Sequence, residues 1–523
     1  MTEPTADHQH EYIIIGAGPA GLQLAYFLDR AGLDYVLLEA NKVGHFFSEL
    51  PRHRRLISNN KVHTGYDDRD MNLRWDWNSL LSENLDHLFT EYTDEYFPYA
   101  DTLVQYLADF RERFALNVRE ETRVASIGRD SDGGFVVSIE GGEVLRSQRV
   151  IVATGHTVPH IPDVPGIEAG EEYSTISTDA NEYRNQRVMI VGKGNSGMET
   201  AEAIFEHAAS VHMLSPNPVR LAWNTHHVSD VRAVYNNVLD SYQLKMQNTI
   251  LDANLRRVER REDGRLNVAF TYSHANGQDW DLTVDRLILA TGFRFDFSIF
   301  DDSCTVSTCH DGRWPAMTSS WESTDVPGLY FVGTIMQARD YKKSFSGFIH
   351  GFRYNIRFLS ELLRERYHGE PRAVDVIERD PKVLADAIVD RADNASSMFQ
   401  LPAFMSDVYV LDGADGIERH RDTTVAYALD HEPWRNRTLL IATLEYGHLP
   451  KGADPFNFPR DPRDGTTSQF IHPVLRLYVD GEHVDTYHVP EDLENEWNKD
   501  MYLEPFREAL ARMLNRDERM VTA

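Results

Sequence analysis

A chain of 523 residues is too long for a single hydrophobic core and calls for two to four domains. Its 41% hydrophobic and 11% aromatic residues exclude a disordered or fibrous protein. The formal charge of -29 argues against nucleic-acid binding or an anionic membrane surface as partner. No apolar run reaches the length needed to span a bilayer. Met1 to His10 is polar and acidic and lacks the basic and apolar parts of a secretion signal, so a cytoplasmic protein is expected.

The first predicted element is the apolar strand ending Ile13-Ile14-Ile15, which runs into Gly16-Ala17-Gly18-Pro19-Ala20-Gly21 and a helical pattern. Gly16 lets the chain turn, Gly18 lets a pyrophosphate approach the backbone, and Gly21 lets helix and strand pack closely. The free N–H groups and dipole of the helix N-terminus, at Pro19 and Ala20, hold the phosphates. A second strand, Tyr35-Val36-Leu37-Leu38, ends in Glu39, whose carboxylate can accept from a ribose. Strand, glycine turn, helix and spaced acid together predict a dinucleotide site. Ala40, Lys42, His45 and Phe46 follow the acid as further candidate contacts, and Val124 is another. From Gly44 to Pro98 little periodicity is seen, but the aromatic content predicts a long loop packed over a ligand.

An amphipathic helix is predicted over Asp101 to Phe114, with Asp101 as its cap. Short strands follow, turning at Asp132-Gly133-Gly134 and Gly141-Gly142. The last of them, Arg149 to Ala153, leads into Thr154-Gly155. A second strand–glycine–helix unit starts at Arg187: Gly192, Gly194 and Gly197 form the turn, with Asn195 and Ser196 inside it and a helix over Thr200 to Ala208. After the next strand, Ser210 to Leu214, the position where NAD recognition needs an acid holds Ser215, with Arg220 close behind. A hydroxyl and an arginine suit a 2′-phosphate, so NADPH is favoured over NADH. Hairpins are predicted from Arg256 to Val284. Asp285 to Leu289 then leads into Ala290-Thr291-Gly292, and a short strand leads to Gly333. A helix from about Phe345, taking in Phe348, runs to about Arg366.

Two glycine motifs, each followed by a strand ending in Ala-Thr-Gly, describe an α/β protein of two nested Rossmann-like domains, one for FAD and one for NADPH. The expected division is 8–175 and 285–370 for FAD, 176–284 for NAD(P)H, and 371–523 for a C-terminal α+β domain. That last domain is predicted to hold one or two acidic helices over Asp375 to Ala395, a strand over Thr438 to Leu444, a hairpin turning at Asp480-Gly481 and a helix over Leu503 to Leu514. No catalytic motif is legible in it, and substrate enclosure or homodimer contacts are its expected roles. No metal site is expected.

These motifs resemble the two-dinucleotide-domain flavoproteins, which include flavin-containing, Baeyer–Villiger and N-hydroxylating monooxygenases. Within that group the chain is similar to the FAD-dependent oxidoreductases associated with endoplasmic-reticulum degradation. The likeness is carried by Pro51-Arg52-His53-Arg54, Asp76-Trp77-Asn78-Ser79-Leu80-Leu81, Phe295 to Phe300 and Gly347-Phe348-Ile349-His350-Gly351-Phe352-Arg353-Tyr354. It continues in Leu444 to Gly447 and Ile471 to Leu475. Met520-Val521-Thr522-Ala523 is no retention signal for that compartment, which points to a soluble bacterial relative.

Flavin disulfide reductases carry a C-x4-C pair just after the first glycine motif. Here Cys304 and Cys309 have that spacing far downstream and read as incidental thiols. The resemblance implies an asparagine near flavin C4a, at Asn59 or Asn60, while Ser174 stands where Baeyer–Villiger enzymes have histidine. It also implies an NADPH-dependent monooxygenase that uses molecular oxygen on an N, S or C centre of a small molecule through a C4a-(hydro)peroxyflavin. His45, Arg54 and the Trp75/Trp77 region are expected to line its pocket. The alternative is a reductase or dehydrogenase that passes electrons to a small molecule or protein without inserting oxygen. In a third, non-enzymatic reading the flavin is structural.

Overall fold

A computed structural model describes residues 9–243, 247–413, 415–450, 453, 457–459, 461 and 463–521. The leader reading on residues 1–8, the first domain's start at 8 and the terminal Thr522-Ala523 lie outside them. The fold is mixed α/β, with two nested dinucleotide-binding units and a third unit at the C-terminus.

The first sheet is built on apolar runs buried on both faces, as parallel strands require. Its order is Val118–Arg119, Tyr35–Leu38, Gln9–Ile15, Val144–Val152, Phe135–Ile139 and Val124–Arg129. The strand Val144–Val152 serves two neighbourhoods. Its first half pairs antiparallel with Phe135–Ile139, and its second half pairs parallel with Leu329–Phe331, which closes the unit from far along the chain. Helices Pro19–Arg30 and Ile349–His368 pack together beside this sheet. The helix after residue 99 spans Ala100–Arg113, and Tyr99, not Asp101, holds the cap position. Asp101 instead pairs with Arg54 at 2.8 Å.

The second sheet runs Asp279–Val284, Leu266–Tyr272, Thr249–Arg260, Ser210–Ser215, Arg187–Val191, Arg286–Leu289 and Glu171–Glu172. This corrects the boundaries at 175 and 284. Ile288 and Leu289 pair in parallel with Glu171 and Glu172, so both segments belong to the nicotinamide unit. The helix after the second glycine motif is Asn195–Ile204, starting directly at the glycines and ending earlier than the sequence pattern implied. The chain passes between the two units twice, and the crossing segments pair as Val158–Pro159 with Phe293–Arg294.

The C-terminal unit is a six-stranded antiparallel sheet in the order Asp375–Ile377, Ile417–Thr424, Met405–Val410, Thr438–Glu445, His472–Val479 and Glu482–His488. Residues from Asp375 thus begin as a strand, and the expected helix is confined to Pro381–Asn394. That helix and Asp500–Val521 pack on each other, with Leu384, Ile388, Leu510 and Met513 sharing one core with Leu440 and Leu475. Among the described residues no helix is long and apolar enough to cross a membrane.

Candidate functional site

Both glycine turns divide their work in the same way. Gly16 holds a φ of +104°, and a Cβ there would lie 2.8 Å from the Ala153 carbonyl oxygen. A Cβ on Gly21 would run into the Gly16 carbonyl. Gly18 between them faces open space. In the second turn Gly192 and Gly197 are crowded by the carbonyls of Ala290 and Gly192, while Gly194 is open. The outer glycines are therefore required by the chain itself. The middle ones leave a cradle that a side chain would fill, in front of a helix N-terminus with no side-chain cap. Uncapped N–H groups facing open space fit a pyrophosphate at each turn.

Glu39 stands at the tip of Tyr35–Leu38 and is buried. Its carboxylate accepts from the Ala17 N–H at 2.7 Å and the Asn41 N–H at 2.9 Å. It thereby braces the first glycine turn, and a carboxylate has lone pairs left for a ribose. Gly333, with φ +82°, brings the returning chain within 2.6 Å of the Ala20 Cβ for any side chain placed there.

From the first turn a cavity of about 290 Å³ extends between the two nucleotide units. Gly18, Pro19, Ala20, Thr154, Gly155 and Thr334 form one wall. Phe46, Phe47, Leu56, Ile57, Phe348 and Phe352 give it an apolar interior, and Ser58, Trp77, Asn78, His156, Val228, Arg232 and His350 are among its other lining residues. The Trp77 and His350 rings stack with centroids 4.4 Å apart, and Phe348 stacks on His350 at 5.6 Å. Burial, with Arg353 and Arg232 nearby, holds the His350 imidazole neutral, its pKa well below the ordinary value. Its buried Nε2 has no hydrogen-bond partner. Burial and the Arg313 charge likewise push His156 down to about 4. Desolvation also lowers the Arg232 guanidinium, which stays charged at neutral pH. No carboxylate and no thiol is among the described residues lining the cavity.

Neither Asn59 nor Asn60 lines this cavity. The Asn60 amide is turned away and donates to the carbonyls of Thr93 at 2.7 Å and Glu95 at 3.2 Å. Asn59 Oδ1 accepts from Arg232 Nη2 at 3.0 Å. The asparagine in the wall is Asn78, whose amide donates to the Asn59 carbonyl at 3.2 Å and accepts from the Ser58 hydroxyl. Trp77 lines the cavity, whereas Trp75 stacks on Tyr66 at 5.4 Å outside it. His45 bonds with Ser48, and Lys42 pairs with Glu120 and Glu121 at the surface. Val124 sits in a strand packed against the core, and it and Ala40 lie off the cavity wall. Asn78 and His350 fall in stretches that carried the family resemblance. Arg232 had no sequence signal at all.

At the second turn Asn195 is tied to the segment that crosses toward the cavity. Its amide donates to the carbonyls of Ser229 and Asp230, and its Oδ1 accepts from the Arg232 N–H at 3.0 Å. Ser196 lines a small gap with Tyr173, Ala290 and Gly292. The Thr291 hydroxyl donates to the His160 carbonyl. Ser215 ends its strand as expected, and the half-exposed Arg220 pairs with Asp230 at 3.1 Å. Both thiols are free, and neither lines the cavity. Cys304 is buried in the first core, and burial pushes its pKa up to about 11.

Comparison with known proteins agrees with this geometry. The pyridine nucleotide-disulphide oxidoreductase family matches residues 13–333. FAD-dependent oxidoreductase domain-containing protein 2 of Mus musculus is 35% identical over 97% of this chain and 84% of its own length. A flavin-containing monooxygenase from Stenotrophomonas maltophilia superposes with a TM-score of 0.52 at 20% identity, covering 68% of this chain and 98% of that one. A bacillithiol disulfide reductase from Staphylococcus aureus gives the same TM-score at 18% identity, covering 69% and 99%. These two structures speak for the fold alone. With a phosphate cradle at each glycine turn and one cavity between the two units, the chain belongs to the pyridine nucleotide-disulphide oxidoreductase family and is an FAD-dependent oxidoreductase that uses a nicotinamide cofactor.

Proposed function

We propose that the protein is an NADPH-dependent monooxygenase acting on a nitrogen, sulfur or carbon centre of a small organic molecule. The carrying observation is the cavity wall, which is apolar, holds no cysteine to take electrons and carries neutral histidines. Bound FAD supplies hydride acceptance from the nicotinamide and the reaction with molecular oxygen. The chain's own residues then have three tasks. Phe46, Phe47 and Phe348 exclude water from the reacting atoms. Asn78, held by Ser58 and Asn59, offers a fixed amide in the wall. His350, stacked between Trp77 and Phe348, keeps its stretch of the wall uncharged. Ser215 and Arg220 support NADPH over NADH, since neither repels a 2′-phosphate.

The test is a stoichiometry. FAD-loaded protein is given NADPH and a panel of amines, sulfides, ketones and acids, while oxygen uptake, NADPH consumption and peroxide are followed together. Under the proposed function a panel member is oxygenated, with one oxygen and one NADPH consumed per product and little peroxide. Recovery of all the oxygen as peroxide, with fast turnover on an artificial electron acceptor, would move the assignment to the reductase alternative.

A further inference from the structure

We propose that the cavity selects carboxylic acids, with the Arg232 guanidinium taking the carboxylate of an otherwise apolar, ring-bearing molecule. This rests on reading the end of the cavity at Trp77 and Arg232, away from the FAD cradle at Gly18, Pro19 and Ala20, as the place of the small-molecule substrate, and it adds the substrate's charge and shape.

The geometry of Arg232 carries the inference. Nη1 donates to the Ile57 carbonyl at 2.7 Å and Nη2 to Asn59 Oδ1 at 3.0 Å, which fixes the plane of the fork. An arginine has five N–H donors, so most of them remain for a ligand. The guanidinium carbon lies 5.2 Å from the Trp77 ring centroid and 5.8 Å from that of Phe97. Two aromatic faces thus hold the cation in place without neutralising it. Arg232 makes no ion pair among the described residues, although the molecule as a whole has a large excess of acids.

A desolvated cation without a counter-ion is costly to maintain, and a bound anion removes that cost. The other titratable groups in the wall, His156 and His350, are neutral, and no carboxylate faces the space. An ammonium substrate would therefore meet a like charge and no partner, and a neutral one would leave the guanidinium unpaired. A carboxylate satisfies the fork, and the rings of Phe46, Phe47, Phe348 and Phe352 receive an apolar body.

A phosphate of the nicotinamide dinucleotide is a second source of negative charge for the same fork, because Asn195 of the second glycine turn bonds the Arg232 backbone. Calorimetry on the oxidised, FAD-loaded protein separates the two. The probes are phenylacetate, its neutral isostere phenylacetamide, and phenethylamine. Phenylacetate is expected to bind roughly 10- to 100-fold more tightly than phenylacetamide, as expected for hydrogen bonds to a charged group. R232Q should abolish that preference while leaving phenylacetamide binding within about twofold, and R232K, which keeps the charge but not the fork, should restore part of it. Equal binding of acid and amide by the wild type, or preference for the amine, overturns the proposal. So does an R232Q variant that keeps the acid preference but needs far more NADPH for anaerobic flavin reduction, since the guanidinium would then serve the dinucleotide. Because binding is read without turnover, the acid preference can fail while oxygenation stands, or hold while oxygenation fails.

Discussion

Glu199 lies two residues beyond the third glycine of the nicotinamide turn, buried where the two nucleotide units meet. The Tyr173 hydroxyl donates to its Oε2 at 2.6 Å, Oε1 has no partner, and burial pushes its pKa up to about 7. The sign of its effect is the reverse of a paired surface carboxylate. The unfolded chain releases this proton near the ordinary glutamate value while the native chain keeps it, so stability falls as pH rises from about 4.5 to about 7. The loss is on the order of 3 kcal/mol above that window. E199Q should therefore melt higher than wild type at pH 8, with the gap closing toward pH 5. An equal gap at both values would show that the carboxyl is not protonated in the native state. Arg220 makes a second case at this scale. Its guanidinium is half exposed and shared with Asp230, leaving N–H groups for a 2′-phosphate. R220Q should raise the KM for NADPH roughly tenfold and leave that for NADH unchanged. A parallel change in both would remove the basis for preferring NADPH.

The two glycine turns allow a sharper contrast within one element. G21A drives a methyl into the Gly16 carbonyl and should cost roughly 1–3 kcal/mol of apoprotein stability. G18A meets nothing in the protein, and the Gly18 φ of -77° suits alanine, so the apoprotein should melt as wild type. FAD affinity should nevertheless fall by about tenfold, because the cradle is occupied. These turns are legible in sequence because all their determinants are local: an apolar strand, three spaced glycines and a helix. Elements whose determinants are remote stay hidden. Ile417–Thr424 reads Ile-Glu-Arg-His-Arg-Asp-Thr-Thr, which carries no strand signal. It is a strand because Arg419 pairs with Asp375 at 2.8 Å, and because Arg391, at the end of a distant helix, takes up Asp422 at 2.7 Å. Which asparagine faces the cavity stays hidden for a similar reason. Asn59, Asn60 and Asn78 are brought together by the chain doubling back, and only that geometry decides which amide faces inward. Arg232 was invisible because its partners Ile57, Asn59 and Trp77 lie more than a hundred residues earlier.

Across the whole molecule, the C-terminal unit is fastened to the FAD unit by buried polar groups. Arg74, 1% exposed, donates to the carbonyls of Ala392 at 2.8 Å and Ala395 at 3.2 Å, at the negative end of the helix Pro381–Asn394. Gln400 answers with donations to the Leu73 and Arg74 carbonyls. R74M leaves those helix-end carbonyls unpaired and should cost about 2 kcal/mol. It should also speed proteolysis between residues 395 and 405. An unchanged digestion pattern would mean that apolar packing alone fastens this junction.

The junction between the two nucleotide units is of another kind. Among the described residues, only the short ribbon of Val158–Pro159 and Phe293–Arg294 spans it as paired strands, and Pro159 has no N–H to give. The molecule is thus laid out like a book, with the ribbon as spine, the FAD and C-terminal units as one cover and the nicotinamide unit as the other. The cavity lies in the gutter: Gly18 and Trp77 belong to the first cover, Val228 and Arg232 to the second. Any parting of the two covers would draw the guanidinium off Ile57 and Asn59, leaving an aromatic page without its single charge.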